Sequence, residues 1–388
     1  MQRSYQGLRI PEGMHDLLPE ELALQERLEG NVLALFKSWA FQKVVTPTLE
    51  FGACVQPNPD VADQLYKFFD RQGHILTLRP EFTTPIARLV SSRLRGVDLP
   101  LRFCYGADVF RNSSTRQREF RQVGVELVGS NAGLADAEVI ALAVEAIKCL
   151  GVKDFQFNIG HMGIFLGLMK EARIGEELQA QLEDVLARKD MVGVEILVKQ
   201  SNLSDNVQQL LLRLPHLHGR EEMLEEVLGW SQSSEIKKAV EGLRQVYRYL
   251  ADFGVQSHVA LDLGILRGFS YYTGVIFEGY VPSVGFPVVE GGRYDTLYAD
   301  FGYPLAATGF ALHLGSVLGQ FPLEPIENAD VLVYGRDPKA VINQCQELRR
   351  QGKRVEMALS VLTIEEAQEL ASKKNIAALY QCINKEWL

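Results

Sequence analysis

Two runs of alternating residues, LRFCYGADVFRN (101–112) and REFRQVGVELVGS (118–130), flank the polar, turn-forming NSSTRQ. Successive strand residues point to opposite sheet faces, so the two runs predict a pair of long strands joined by a short turn. A sheet started in this way needs partners for its apolar faces, and the neighbouring segments supply them. PEELALQERLEGNVLALFKSWAF (19–41) begins with proline and two glutamates and carries apolar residues at helical spacing. ADAEVIALAVEAIKCLG (135–151) reads as an amphipathic helix closed by a glycine. HILTLRPEFTTPIARLVSSRL (74–94) reads as a strand turning into a helix, and QKVVTPTLEF as a strand that breaks at Pro47.

DFQFNIG is a further strand, and from about 162 to 254 nearly everything has helical period. Strand signals return at SHVALDLG, SYYTGVIFEGY and FPVVEGG. Strands that are near neighbours, rather than separated by regular crossover helices, predict an α+β fold: a mostly antiparallel core interrupted by a helical insertion. LGQFPLEPIENAD (318–330) reads as a linker, and the alternating strands and helices beyond it as a small α/β unit. The expected domains are therefore 1–320, with the insertion at about 162–254, and 328–388. A length of 388 residues, with 47% apolar and 23% charged residues, suits two or three globular domains.

Several function classes are disfavoured by composition. No apolar stretch is long enough to span a bilayer, and MQRSYQGLRIPEG has no apolar region behind its basic residues, so the expected location is the cytoplasm, away from membranes. Cys54, Cys104, Cys149, Cys345 and Cys382 are scattered without metal or redox spacing and read as small buried hydrophobes. His216 and His218 have no cysteine or acidic cluster beside them, so neither a metal nor another cofactor is expected. A net charge of −9 works against a polyanion such as nucleic acid.

Chemistry concentrates in a few segments. In LRGFSYYTGVIFEGY (266–280) the Arg267 guanidinium can clamp a carboxylate, and a tyrosine hydroxyl can bond a polar ring, which together suit an amino acid. Regular strand alternation would send Tyr271 and Tyr272 to opposite faces. The same residues also describe a strand with a capping arginine and two half-buried tyrosines. Glu81 and Thr83 in RPEFT and Glu126 in RQVGVE add carboxylates and a hydroxyl; Glu126, on a mostly apolar strand, needs a ligand or an internal partner such as Arg121. EGGRYDTL (290–297) reads as a strand-to-helix turn, either structural or shaped for close approach to a ligand.

Taken in order, LTLRPEFTTPIAR, VFRN…REFRQVGVELVG, LRGFSYYTGVIFE and EGGRYDTL resemble the catalytic core of histidyl-tRNA synthetases over roughly residues 8 to 320. The resemblance implies a class II aminoacyl-tRNA synthetase-like antiparallel sheet with flanking helices, and a dimer interface around the first helix and the Pro47 segment. It implies that Glu81 and Thr83 hold the histidine amino group. Gln122 and Glu126 would hold carboxylate and imidazole, and Arg267 and Tyr272 would face the same two groups. Tyr271 would line the region, and Arg111, retained from the phosphate-binding side, is counted with these among the histidine-binding residues.

The nucleotide half departs from the family pattern. The adenine-reading position is Ser113, the loop from Arg111 to Gln122 is short, and GFALHLGSVL has His313, Gly315 and Ser316 where the family has glycine, glutamate and arginine. Ser270 replaces an acidic residue, and the tail resembles a truncated anticodon-binding domain. From Asn328 onward it carries nine basic and eight acidic residues, without a surplus for tRNA.

A kept histidine half with a dismantled ATP half resembles the regulatory subunits of ATP phosphoribosyltransferase. That resemblance implies a non-catalytic homodimer within a hetero-octamer. There it would activate a short-form catalytic subunit and sense L-histidine at the first step of histidine biosynthesis. An active histidyl-tRNA synthetase and a histidine sensor with another client are the alternatives.

Overall fold

The computed structural model describes residues 8–55, 59–113, 117–201, 203–231, 233–266, 271–323 and 328–382. The strands in chain order are β1 (Gln42–Lys43), β2 (Leu49–Phe51), β3 (Lys67–Phe69), β4 (Ile75–Leu78), β5 (Leu101–Phe110), β6 (Glu119–Val128), β7 (Gln156–His161) and β8 (His218–Gly219). They continue with β9 (Val259–Asp262), β10 (Val275–Tyr280), β11 (Val289–Arg293), β12 (Ala307–His313), β13 (Val331–Gly335), β14 (Val355–Met357) and β15 (Ala378–Cys382). The chain divides into two compact units, Met1–Pro322 and Leu323–Leu388.

In the first unit a nine-stranded sheet runs β1-β5-β6-β12-β11-β10-β7-β9-β8. Every pairing is antiparallel except β1 with β5 and β7 with β9. The hairpin expected from 101–130 is its longest element, pairing from Leu101 opposite Val128 to Phe110 opposite Glu119. The Pro47 segment contributes less than its β-branched residues suggest. Only Gln42 and Lys43 pair with β5 before the chain leaves for a separate sheet of order β2-β4-β3.

Alternation along β6 sorts its residues between two cores. Val123, Val125 and Leu127 face a large one, shared with the helices Pro19–Ser38 and Gly133–Cys149 and the helical segment beyond 162. Val128 faces a second, aromatic-rich core with Phe82, Phe103, Tyr105, Tyr271, Tyr272, Tyr294 and Tyr298. Gln122, Gly124 and Glu126 share its side by parity.

The helix Gly133–Cys149 is buried over most of its circumference, because the helix Ser234–Asp252 covers the side that the sheet does not. That covering helix buries Ile236, Ala239, Val240, Leu243, Val246, Tyr247 and Leu250 at three- and four-residue spacing. Each fully buried valine, leucine or isoleucine among them contributes about 1.5–3 kcal/mol, so the helical segment is part of the main core. Among the described residues no helix is long and apolar enough to cross a membrane.

The second unit is a parallel three-stranded sheet, β14-β13-β15, with helices Pro338–Arg350 and Ile364–Lys373. Asp337 caps the first helix, and Thr363 with Glu366 forms a capping box on the second.

Candidate functional site

Five central strands place small and large residues in rows on the aromatic side of the main sheet. One row reads Phe103, Glu126, Gly309, Gly292, Ile276; the next reads Tyr105, Gly124, Ala311, Glu290, Glu278. Glycine and alanine in the middle of both rows leave a depression that larger neighbours overhang. The Glu126 carboxylate occupies the space where residue 309 would carry a Cβ, and the Tyr105 hydroxyl does the same over Gly124. The Tyr272 ring lies over Gly292, where an added Cβ would meet Cδ1 at 3.0 Å and the Val275 carbonyl at 2.8 Å.

Gly291 and Gly292 are therefore strand residues. The turn expected at EGGRYDTL comes later, between β11 and the short helix Leu297–Asp300, because both glycines are needed where sheet and aromatic rings approach.

The pocket over this floor is lined by Glu81, Phe82, Thr83, Tyr105, Arg111, Gln122, Tyr271, Tyr272, Glu290, Tyr294, Gly309, Phe310, Ala311 and His313. Six chain segments line it and bring together every described candidate residue, with Glu126 directly behind. Arg267 and Ser270 lie outside the described residues.

The two tyrosines both face this pocket, contrary to the alternation argument. They precede β10 in a non-strand turn, which frees them from period-two geometry, and their rings pack at 5.1 Å with a 72° interplanar angle. Tyr294, which the sequence reading passed over inside GGRYD, packs on Tyr271 at 5.4 Å. All three phenols are held well above their ordinary pKa by burial and by Glu126 or Glu81 nearby, so they stay neutral.

Glu126 does not pair with Arg121, whose guanidinium meets Glu29 at 2.8 Å and Asp108 at 3.2 Å on the opposite face of the sheet. Its Oε1 accepts from the Thr83 hydroxyl at 2.8 Å, and its Oε2 accepts from the Tyr294 hydroxyl. Burial pushes its pKa up to about 8, against the lowering effect of those two bonds. Glu81 is also raised by burial; it accepts from the Thr84 N–H at 3.1 and 3.2 Å, in the first turn of the helix Thr83–Arg93. Gln122 Oε1 is buried with no hydrogen-bond partner among the described residues.

Two buried carboxyl groups, hydroxyls and an amide oxygen with no partner among the described residues favour a ligand with N–H donors or positive charge. Arg111 supplies a cation at the edge it shares with Phe120 and His313; its Nε donates to the Pro80 carbonyl at 2.9 Å. A zwitterion with a nitrogen-bearing side chain suits this polarity. A larger cavity of about 500 Å³ adjoins, lined by Gln64, Arg111, Ser113, Gln117, Phe120, Phe286, Pro287, His313 and Ser316.

This fold and pocket define a protein of the class II synthetase type, built on the histidyl pattern: residues 13–317 match the family model described as histidyl-tRNA synthetase. A protein of Desulfitobacterium hafniense strain Y51 named ATP phosphoribosyltransferase regulatory subunit is 60% identical over 376 residues, covering 97% of this chain and 98% of that one. One of the same name from Moorella thermoacetica is 40% identical over 388 residues, covering 98% of each. A crystal structure from Bacillus halodurans, described as an ATP phosphoribosyltransferase regulatory subunit/histidyl-tRNA synthetase, superposes with a TM-score of 0.86 at 33% identity, covering 97% of this chain and 98% of that one. The chain belongs to the family of ATP phosphoribosyltransferase regulatory subunits, proteins of histidine biosynthesis.

Proposed function

We propose that this chain binds free L-histidine in the tyrosine-lined pocket. Joined to a short-form ATP phosphoribosyltransferase catalytic subunit, it raises that subunit's turnover and makes it sensitive to histidine. It has no adenylating activity of its own and takes no tRNA. The observation that carries this reading is the asymmetry of the two adjoining cavities. One gathers Glu81, Thr83, Gln122, Tyr271 and Tyr272 with Glu126 behind. The other has Ser113 and Ser316 beside Arg111, the one arginine among its described lining residues. Amino-acid activation needs several preorganised cations around the reacting phosphates, and two serines do not replace them.

The pocket's size also favours a sensor. Its volume of about 20 Å³ suits roughly one water, so an amino acid enters only if the aromatic side chains shift. A ligand that binds one arrangement and not another has the differential affinity that regulation requires.

The homodimer expected within a hetero-octamer has a candidate surface on the sheet β2-β4-β3. Leu49, Phe51, Leu76, Leu78 and Phe68 share one of its faces by register, and Phe51 is 56% exposed. An apolar sheet face of this kind is suited to burial against a second copy.

The test is phosphoribosyl-ATP formation by the catalytic subunit alone, this chain alone, both, and both with histidine, repeated with Arg267→Ala. Support is activation in the mixture, with histidine inhibition lost and activation kept in the variant. A mixture no faster than the catalytic subunit, or equal inhibition of both versions, overturns the reading.

A further inference from the structure

The tyrosine-lined pocket and the larger cavity share two lining residues, Arg111 and His313. Phe120 joins them into a wall. Its ring stacks on the His313 imidazole at 5.1 Å with a 27° interplanar angle, and the Arg111 guanidinium carbon lies 5.4 Å from its centroid. The wall is tied at both ends: His313 Nε2 meets Glu290 Oε2 at 3.2 Å, and Arg111 Nε donates to the Pro80 carbonyl.

Strand parity explains why a barrier rises at this point. Gly309, Ala311 and His313 fall on the same face of β12; the first two leave the pocket floor open and the third places an imidazole at its edge, opposite Gln122. The His313 side chain is only 13% exposed although it borders two cavities.

We propose that His313 is a specificity-determining residue. With Phe120 and Arg111 it closes the pocket toward the larger cavity, so that the pocket admits a free amino acid and rejects one extended through its carboxyl group. This inference rests on the reading of the pocket as a histidine site. The polarity of the pocket sets the ligand's direction. Glu126 lies opposite Gly309, four residues or roughly 13 Å along β12 from His313. The cation at the His313 end is Arg111. A carboxylate drawn to Arg111 therefore abuts the wall, while the imidazole lies toward Glu126. Any ester, amide or anhydride formed on that carboxylate would have to pass between Arg111 and His313. A sensor built in this way reads the free amino acid and ignores its activated or conjugated forms, discriminating by steric exclusion rather than by an added attraction.

Calorimetry with two probes tests the proposal. One is L-histidine; the other is its acyl sulfonamide with benzenesulfonamide, which keeps a negative charge beside the carbonyl but carries a ring beyond it. The intact chain is expected to bind the conjugate at least about 30-fold more weakly than histidine, and His313→Gly to narrow the gap between the two probes to within about 3-fold. Phe120→Leu thins the same wall without changing β12 and is expected to narrow the gap in the same direction, which keeps the test decisive should the glycine variant fold poorly. Equal binding of both probes by the intact chain overturns the proposal, as does unchanged discrimination in a folded variant of either kind. If the intact chain binds no histidine, the reading of the pocket falls, and this inference falls with it; histidine binding with no discrimination removes the wall alone.

Discussion

Glu126→Gln is expected to strengthen the fold while weakening the ligand. The substitution keeps shape and both hydrogen bonds: one amide atom still accepts from Thr83, and the other donates to the Tyr294 oxygen. What it removes is a buried carboxyl whose pKa is raised from 4.5 to about 8. Between those values the folded chain holds a proton that the unfolded chain has released, so the group's unfavourable contribution is absent below about 4.5, grows as pH rises, and is complete above about 8. At about 1.4 kcal/mol per unit the ceiling is about 5 kcal/mol, and about 3 is a realistic expectation after relaxation of the site.

Urea unfolding at a series of pH values should therefore show the variant's advantage over the parent widening by about that amount from pH 4.5 to 8. Histidine binding should move the other way. A bound imidazole can take the proton from Glu126 to form a charged pair that glutamine cannot make, so calorimetry at pH 7 should show a loss of about 1.5–3 kcal/mol. An advantage that does not change with pH would refute the argument from burial. Unchanged histidine affinity in the folded variant would remove Glu126 from recognition.

Three further outcomes are expected. The isolated chain should not catalyse histidine-dependent ATP–pyrophosphate exchange, given Ser113 and Ser316 in the larger cavity; exchange at a synthetase-like rate, in material free of host synthetase, would contradict this. Gly292→Ala, whose methyl would press on the Val275 carbonyl and the Tyr272 ring, should cost about 1–3 kcal/mol in denaturant unfolding and abolish detectable histidine binding. Phe51→Glu should leave monomer stability within about 0.5 kcal/mol, as exposed positions usually do, yet shift the sedimentation of the chain toward the monomer; an unchanged dimer would place the interface elsewhere.

The sequence by itself determined the elements whose pattern is local. The hairpin over 101–128, the helices at 19–38 and 133–149 and the helical run beyond 162 all follow from two- and 3.6-residue periods. The Arg121 partner expected for Glu126 fails on the same ground: five residues along one strand is an odd number, so the two side chains lie on opposite faces.

Tertiary structure decided the rest. Tyr271 and Tyr272 share a pocket because the ladder with β7 begins only at Val275, a limit set by partners more than a hundred residues away. Tyr294 reaches Glu126 across 168 positions of sequence, and no local pattern encodes that contact. The glycines at 291 and 292 suggest a turn by composition, but they lie in a strand because Phe277, Phe310 and Tyr272 need the space above them. Period and parity belong to a single segment, whereas strand register and burial arise from pairings between distant segments. Those pairings bury Glu126 away from every cation among the described residues, and so set the chemistry of the site.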